Sequence, residues 1–184
     1  MEVWILVIII VLVLFIGYVI VTYNNLVSSR NKVENQFSQV DIQLKRRIDL
    51  IPNLVETVKG YAKHEEGTLT KVIEARNKAV NASSINDKVD ASNELANALS
   101  KLLVLVEAYP DLKANSNFVT LQNDLKDTED KIAYARQFYN DSAMVYNNHV
   151  EMFPSNIIAN IFKFKKFEFF KISEKEKENP KVEF

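Results

Sequence analysis

Few residues in this chain could carry out chemistry. It has no cysteine and only two histidines, His64 and His149, so composition excludes a thiolate nucleophile, a thiolate metal site and a disulfide. His64 begins the stretch HEEGT, which has Thr68 where a zinc-binding HExxH helix needs its second histidine. A di-iron bundle needs a glutamate three residues before each histidine, and those positions hold Tyr61 and Tyr146. The sequence also lacks a glycine-rich phosphate loop and a GxSxG turn. We therefore predict that the protein is not an enzyme and has no catalytic, cofactor-binding or metal-binding residues.

Polar side chains concentrate in one other stretch, KRRIDLIPNLVE, at residues 45–56. Pro52 has no backbone N–H, so the carbonyl of Ile48 loses its helical partner, which costs about 3 kcal/mol in a helix interior. We expect a kink, with that carbonyl bonded to water or to a side chain such as Asn53. The polar residues around the kink are the candidate surface for a protein partner: Arg46, Asp49 and Asn53.

Arg47 falls on the apolar side of the same helix, where an unpaired cation would be very unfavourable. We expect an acidic residue of a neighbouring helix to pair with it, and the candidates are Glu107, Glu129 and Asp130. One interpretation is a buried ion pair that sets the helix register, and the other is a polar groove offered to a partner.

The elements that must position these residues begin with a membrane anchor. Residues 3–21 contain no charge, and about 20 apolar residues cross the hydrocarbon core of a bilayer. The features of a cleaved signal peptide, a basic start and a small-residue cleavage site, are missing. Residues 1–23 are therefore predicted to be a transmembrane anchor. Arg30 and Lys32 follow it, which favours a bundle in the cytoplasm, an N-terminus outside, and a single-pass protein of the inner cell membrane.

Residues 24–162 are predicted to form a helical bundle. Glycine and proline are rare, with three and four occurrences, and apolar residues recur at helical spacing in four segments separated at residues 64–68, NASSIND and AYPDLKANSN. We expect helices at about 69–80, from a cap at Asn86 or Asp87, and at about 117–152. The predicted fold class is all-α, with the transmembrane helix continuing into an antiparallel up-and-down four-helix bundle. The alternative is three long helices and a short C-terminal helix, if residues 64–68 stay helical.

Residues 163–184 are predicted to be an aromatic and basic segment followed by a disordered, charged tail. Aromatic rings that alternate with lysines suit a bilayer interface, although the same rings could cover the open end of the bundle core. The candidate membrane-interface residues are Phe162, Lys163, Phe164, Lys165, Lys166, Phe167, Phe169 and Phe170.

Several long segments resemble the LemA family of bacterial membrane proteins, in the family's order. They include YNNLVSSRNKVENQFSQVDIQLKRRIDLIPNLVETVKGYAKHE, VIEARNKAV, LLVLVEAYPDLKANSNFVTLQNDL, IAYARQFYNDS, YNNHVEMFPSNIIANIFKF and the closing PKVEF, so the resemblance covers residues 23–184. The resemblance implies one N-terminal transmembrane helix, a small extracellular N-terminus and a cytoplasmic helical bundle. It implies no established activity.

These observations favour a membrane-anchored, non-catalytic scaffold or adaptor of the LemA type that recruits or regulates protein partners at the bacterial inner membrane. The alternative is a membrane-organising protein that grips one leaflet through its anchor and its Phe/Lys segment. The expected partners are the lipid bilayer and an unidentified protein, and self-association as a homo-oligomer is left open. Nucleic acid is not expected, because the net charge is −1.

Overall fold

The computed structural model describes residues 1–62 and 64–170, which form six helices and contain no strand in these ranges. The helices are α1 (Glu2–Tyr61), α2 (Glu66–Asn81), α3 (Ile85–Val106), α4 (Pro110–Lys113), α5 (Ser116–Glu151) and α6 (Ser155–Ile161). The predicted all-α class is confirmed. The tail for which we expected disorder lies beyond residue 170, outside the described residues.

Helix α1 is continuous over 60 residues, a length of about 90 Å. Its first third is apolar and exposed around nearly its whole circumference, and it is long and apolar enough to cross a membrane. The helix then continues without a linker into a segment with a regular buried stripe, which includes Leu26, Val33 and Val40. The expected continuation of the apolar segment into the following helical segment is therefore present.

The chain leaves the helical conformation between α1 and α2, but earlier than the sequence suggested. Residues 64–68 were expected to be non-helical, whereas α2 already begins at Glu66 and contains Gly67 and Thr68. Gly67 lies in the first turn of α2, which explains why the helix includes it. Glycine costs about 1 kcal/mol in a helix interior, and the cost is smaller in the first turn, where the backbone N–H groups have no intrahelical partners. Leu69 and Val72 are buried directly afterwards and stabilise the helix start. Because α1 and α2 are separate, the three-helix alternative does not form.

The chain divides into two compact units, of which the second comprises Val40–Tyr134 and Phe170. Its core receives side chains from the end of α1, from α2, α3 and α4, and from the start of α5. The buried members are Ile51, Leu54, Val58, Ala62, Leu69, Val72, Ala75, Leu95, Leu99, Leu102, Val106, Leu112, Phe118 and Leu125. Full burial of the larger side chains among them contributes about 1.5–3 kcal/mol each, so this core is the main stabilising feature of the unit.

Helix α3 begins with a capping box. Ser84 is the N-cap, and its hydroxyl accepts from the Asp87 backbone N–H at 3.1 Å while the Asp87 carboxylate accepts from Ser84 in return. We expected Asn86 or Asp87 as the cap, so the helix starts at least two residues earlier. Hydrogen bonds from Ser84 lower the pKa of the Asp87 carboxyl. The ionised Asp87 carboxylate therefore stabilises the folded chain above about pH 4, and this stabilisation is lost as the pH falls further.

We predict that Ser84→Ala lowers the free energy of unfolding by about 1 kcal/mol, because the first turn of α3 loses its side-chain acceptor. Thermal unfolding of the full chain in detergent micelles should show a decrease of about 2–4 °C in Tm. The neighbouring Ser83→Ala is the matched control, since no hydrogen bond of the Ser83 side chain contributes to the cap. Equal decreases for the two variants would contradict the capping role.

The first unit comprises Met1–Gln39 and Ala135–Phe169. Along α5 it buries Tyr139, Ala143 and Tyr146, and α6 buries Ile158 and Ala159. Helix α6 ends at Ile161, and an irregular segment follows it through residues 162–169.

Helix α4 was not expected. Its four residues follow Tyr109, and Pro110 occupies the first helical turn, where a missing backbone N–H has no intrahelical partner to lose. Leu112 is fully buried in the core of the second unit, so burial of one side chain holds this short turn in place.

Candidate functional site

Arg47 is a buried cation in the second unit, with a side chain only 2% exposed. Its Nη1 donates to Glu129 Oε2 on α5 at 2.6 Å, and its Nη2 donates to the backbone carbonyl and the hydroxyl of Ser92 on α3, at 3.0 and 2.6 Å. One side chain of α1 thus joins two other helices. Its Nε is buried and has no hydrogen-bond partner among the described residues.

The other two acids suggested for Arg47 are placed elsewhere. Glu107 pairs with Lys113, close to the end of α3, so it is not the partner of Arg47. Asp130 is exposed on α5. Glu129 is favoured because it directly follows Thr128, which is fully buried on the same helix, so its carboxylate reaches inward while remaining 50% exposed.

The carbonyl that Pro52 frees is bound by a residue that the sequence analysis did not connect with it. Arg76 Nε, on α2, donates to the Ile48 carbonyl at 3.4 Å, a long hydrogen bond. The suggested side chain, Asn53, is exposed, and its own carbonyl accepts from Thr57. A charged donor therefore offsets part of the cost of proline inside α1.

A groove of about 510 Å³ lies beside these two arginines, between α1, α2 and α3 in the second unit. Its charged lining residues are Asp41, Lys45, Arg47, Asp49, Arg76 and Lys88. Ile42 and Val80 contribute apolar walls and are 54% and 53% exposed. The groove thus combines cationic and apolar surface that solvent can reach.

The charges in this groove do not cancel. Lys88 pairs with Asp41 at 2.6 Å, Lys45 approaches Asp49 at 3.7 Å, and Arg47 pairs with Glu129. Arg76 has no carboxylate within ion-pairing distance among the described residues, and it donates instead to the Ile48 carbonyl and the Asn77 side chain. Within residues 1–62 and 64–170, one guanidinium in the groove therefore lacks a counter-charge.

The three residues suggested as a partner surface lie in different surroundings. Asp49 lines the groove, whereas Arg46 faces α5, where it lies 3.8 Å from Asp124 and 3.5 Å from Asp127. Asn53 is exposed and is not among the lining residues of the groove.

Arg76 is the groove residue that the sequence analysis missed. The sequence contained one indication of its role: Arg76 is a charged residue within the apolar stripe of α2, between Val72 and Ala79. The two histidines, His64 and His149, are exposed and do not contribute to the groove.

The segment that follows α6 packs back on the first unit. The Phe162 and Phe164 rings lie 4.7 and 5.8 Å from the Tyr23 ring, measured between centroids, and Phe167 lies 5.2 Å from Tyr146. Tyr146 donates its hydroxyl hydrogen to the Lys165 carbonyl at 3.0 Å. This segment is therefore held against α1 and α5 by both rings and backbone groups.

Asn147 makes the most specific contact with that segment. Its Nδ2 donates to the Phe167 carbonyl, and its Oδ1 accepts from the Phe167 backbone N–H, both at 2.9 Å. The Asn147 amide thus pairs with both backbone groups of Phe167, in the way that a residue of an adjacent β-strand would. Nothing in the composition of YNNHV distinguishes Asn147 from Asn148, so the sequence analysis did not identify it.

The eight candidate interface residues consequently separate into two groups. Phe170 is buried and Phe164 and Phe167 are half-buried, so these three rings contact protein over part or all of their surface. Phe162 and Phe169 are 50% and 46% exposed. Lys163, Lys165 and Lys166 are exposed as well, and Lys166 pairs with Glu151.

Tyr139 gives this unit a pH-dependent contribution to stability. It is fully buried, and its hydroxyl donates to the Glu168 carbonyl at 2.9 Å. Burial, with a smaller effect of the Glu168 charge, raises the pKa of Tyr139 to about 12. Because the folded pKa lies above the ordinary value of about 10, the contribution of Tyr139 to stability is complete below pH 10 and is lost between about pH 10 and 12.

We predict that a near-ultraviolet phenolate titration of the folded chain contains a late component near pH 12, and that Tyr139→Phe removes it. Far-ultraviolet circular dichroism at each pH should establish that the helices are intact during the titration. A late component that persists unchanged in Tyr139→Phe would contradict the assignment.

Comparison with known proteins identifies relatives of this chain. A family model described as the LemA family matches residues 36–184. Magnetosome protein MamQ of Magnetospirillum gryphiswaldense and magnetosome protein MamQ 2 of Paramagnetospirillum magneticum are each 26% identical, over 86% of this chain and 68% of the relative. Protein LemA of Metamycoplasma hominis is 26% identical over 74% of this chain and 63% of its own length. None of these names states a reaction or a ligand.

Proposed function

Since this chain belongs to the LemA family, we propose that it is a membrane-anchored helical-bundle adaptor that recruits or regulates protein partners at the bacterial inner membrane and has no catalytic activity of its own. In this proposal the apolar start of α1 spans the bilayer and the helical units lie in the cytoplasm. The presence of Arg30 and Lys32 after the span supports that orientation, because lysine and arginine near a span favour the cytoplasmic side.

The observation that carries the adaptor proposal is the groove between α1, α2 and α3, with a guanidinium that no carboxylate of the described residues neutralises. Arg76 is half-buried, and it uses Nε for the Ile48 carbonyl and Nη1 for a long hydrogen bond to Asn77 Oδ1 at 3.4 Å, so Nη2 is the terminal nitrogen most available to a ligand at the groove. Guanidinium groups bind carboxylates through two parallel hydrogen bonds, which gives both affinity and orientation.

The walls of the groove narrow the class of partner. Ile42 and Val80 each expose about half of an aliphatic side chain beside the cations. A segment that carries an aspartate or glutamate next to an apolar residue would satisfy both features, with the carboxylate at Arg76 and the apolar side chain between Ile42 and Val80. We therefore expect the partner to present a short acidic and apolar peptide segment.

This function can be tested by photocrosslinking in intact cells. A photoreactive amino acid at Val80 should attach to a partner protein, and mass spectrometry of the adduct should locate the attachment close to an aspartate or glutamate. The same amino acid at Val104, which is 74% exposed on α3 but is not among the lining residues, is the positional control.

Removal of the Arg76 charge tests whether the adduct at Val80 reports specific recruitment of a partner or a chance contact. Arg76→Gln keeps a donor for the Ile48 carbonyl but removes the charge, and it should reduce the Val80 adduct about tenfold, the loss expected for about 1.4 kcal/mol. Lys101→Gln, at an exposed position outside the groove, should leave the adduct unchanged. An adduct that is insensitive to Arg76→Gln, or that joins two copies of this chain, would contradict the proposal.

A further inference from the structure

A group of large apolar side chains is exposed where α5 ends and α6 follows. Met152 and Phe153 are 61% and 78% exposed, and Ile157 and Ile161 on α6 are 50% and 64% exposed. Phe162, directly after α6, is 50% exposed. These five side chains, the patch, all lie within residues 152–162, and so much exposed apolar surface in one short segment indicates contact with a partner or a membrane.

Helix α6 carries apolar residues on two different faces. It buries Ile158 and Ala159 in the first unit, and so already has one apolar face in contact with protein. Ile157 and Ile161, four residues apart, share a different face and point away from that core. A surface helix normally carries polar residues opposite its buried face, and one that is apolar on both faces requires a second apolar environment.

The contacts of Phe162 place the patch beside the membrane anchor. Its ring lies 4.7 Å from that of Tyr23, which comes two residues after the uncharged run of residues 3–21. Two residues of helix correspond to about 3 Å along its axis. The patch therefore begins at the level where α1 leaves the hydrocarbon core.

Two cations accompany the patch. Lys163 and Lys165 are exposed and have no carboxylate within ion-pairing distance among the described residues, whereas Lys166 is neutralised by Glu151. Lysines next to apolar residues suit a membrane surface, because their ammonium groups are attracted to anionic headgroups.

We propose that Met152, Phe153 and the outer face of α6 form a second membrane contact of this chain. Ile157 and Ile161 enter the boundary between headgroups and acyl chains, and Lys163 and Lys165 meet lipid phosphates. The occupant of the patch is the lipid bilayer. The proposal depends on the anchoring of α1 and is independent of the partner groove, and the residues that enter the lipid differ from the half-buried Phe164 and Phe167.

The absence of cysteine makes a direct test possible with the full chain. Single cysteines replace Ile157 or Ile161, and a further variant carries the cysteine at Phe153, in case the label disturbs α6. Each variant is labelled with an environment-sensitive fluorophore and reconstituted in vesicles of phosphatidylcholine and phosphatidylglycerol. Quenching is then measured with aqueous iodide and with lipids that carry a doxyl group at a shallow position, about 5–10 Å below the headgroup boundary.

The control position is Phe138, which is 58% exposed on α5. It lies about 14 residues before Met152, or about 21 Å along the helix. We expect labels at 153, 157 and 161 to be quenched by the doxyl lipid and protected from iodide, and a label at 138 to show the reverse. Lys163→Gln together with Lys165→Gln should weaken the lipid quenching in these vesicles.

Two results would overturn the proposal. One is equal accessibility of the patch labels and the Phe138 label to iodide, which would mean that the patch faces water. The other is protection from both quenchers, which would mean that protein, such as a second copy of this chain, covers the patch. Neither result bears on the Val80 adduct, so failure here is distinguishable from failure of the adaptor proposal.

Discussion

Arg47→Ala is expected to lower the free energy of unfolding by about 3–5 kcal/mol. The variant removes three hydrogen bonds that join α1 to Glu129 and Ser92, and it leaves a cavity where a side chain 2% exposed had packed. Thermal unfolding of the full chain in detergent micelles, followed by circular dichroism, should show a decrease in Tm of about 6–20 °C.

The adjacent arginine is the matched control for this prediction. Arg46 is 42% exposed and lies 3.5–3.8 Å from Asp124 and Asp127, contacts of the kind that contribute at most about 1 kcal/mol. Arg46→Ala should therefore change Tm by only a few degrees. Comparable losses for the two arginines would mean that Arg47 does not hold the three helices together.

Asn147→Ala is expected to release the segment after α6 from α5. The substitution leaves the Phe167 N–H and carbonyl without their partners, at a cost of about 1–3 kcal/mol for each group. Local opening should become easier by about 2–6 kcal/mol. At about 1.4 kcal/mol for each factor of ten, the exchange rate of the Phe167 amide hydrogen should rise by about 30-fold to 20,000-fold.

Asn148→Ala is the control, because Asn148 is exposed and directly follows Asn147. Hydrogen exchange measured by mass spectrometry on peptides that cover residues 162–170 should show faster exchange in Asn147→Ala alone. Unchanged exchange in that variant would show that the aromatic contacts to Tyr23 and Tyr146 hold the segment without the asparagine.

Arg47 and Asn147 differ in how far their structural roles could be predicted from the sequence. An arginine on an apolar helix face implies a buried partner, because a bare charge in a protein interior is too unfavourable to persist. Two adjacent asparagines in YNNHV carry no such implication, because either could lie on the surface. The role of Arg47 as a buried, paired cation was therefore predictable in kind, whereas the role of Asn147 was not.

The helix boundaries, too, could be predicted only in part from the sequence. The capping box at Ser84 and the first-turn proline of α4 are local features, yet the start of α3 lies at least two residues before its predicted position and α4 was not predicted. Leu112 holds α4 in place and Leu69 stabilises the start of α2, and their burial depends on the remaining chain. Local propensity thus indicated that helices form, a local capping box sets the start of α3, and tertiary packing helps to set the positions of α2 and α4.

The sequence alone was sufficient for the apolar segment, the all-α class and the buried stripe of α1, because length, charge and periodicity are properties of single segments. Tertiary structure decided the pairing of those segments. Arg47 meets Glu129 across 82 residues, Arg76 reaches the Ile48 carbonyl across 28, and Asn147 binds Phe167 across 20. Periodicity states which face of a helix is buried, but it contains no information about which side chain on another helix will lie opposite.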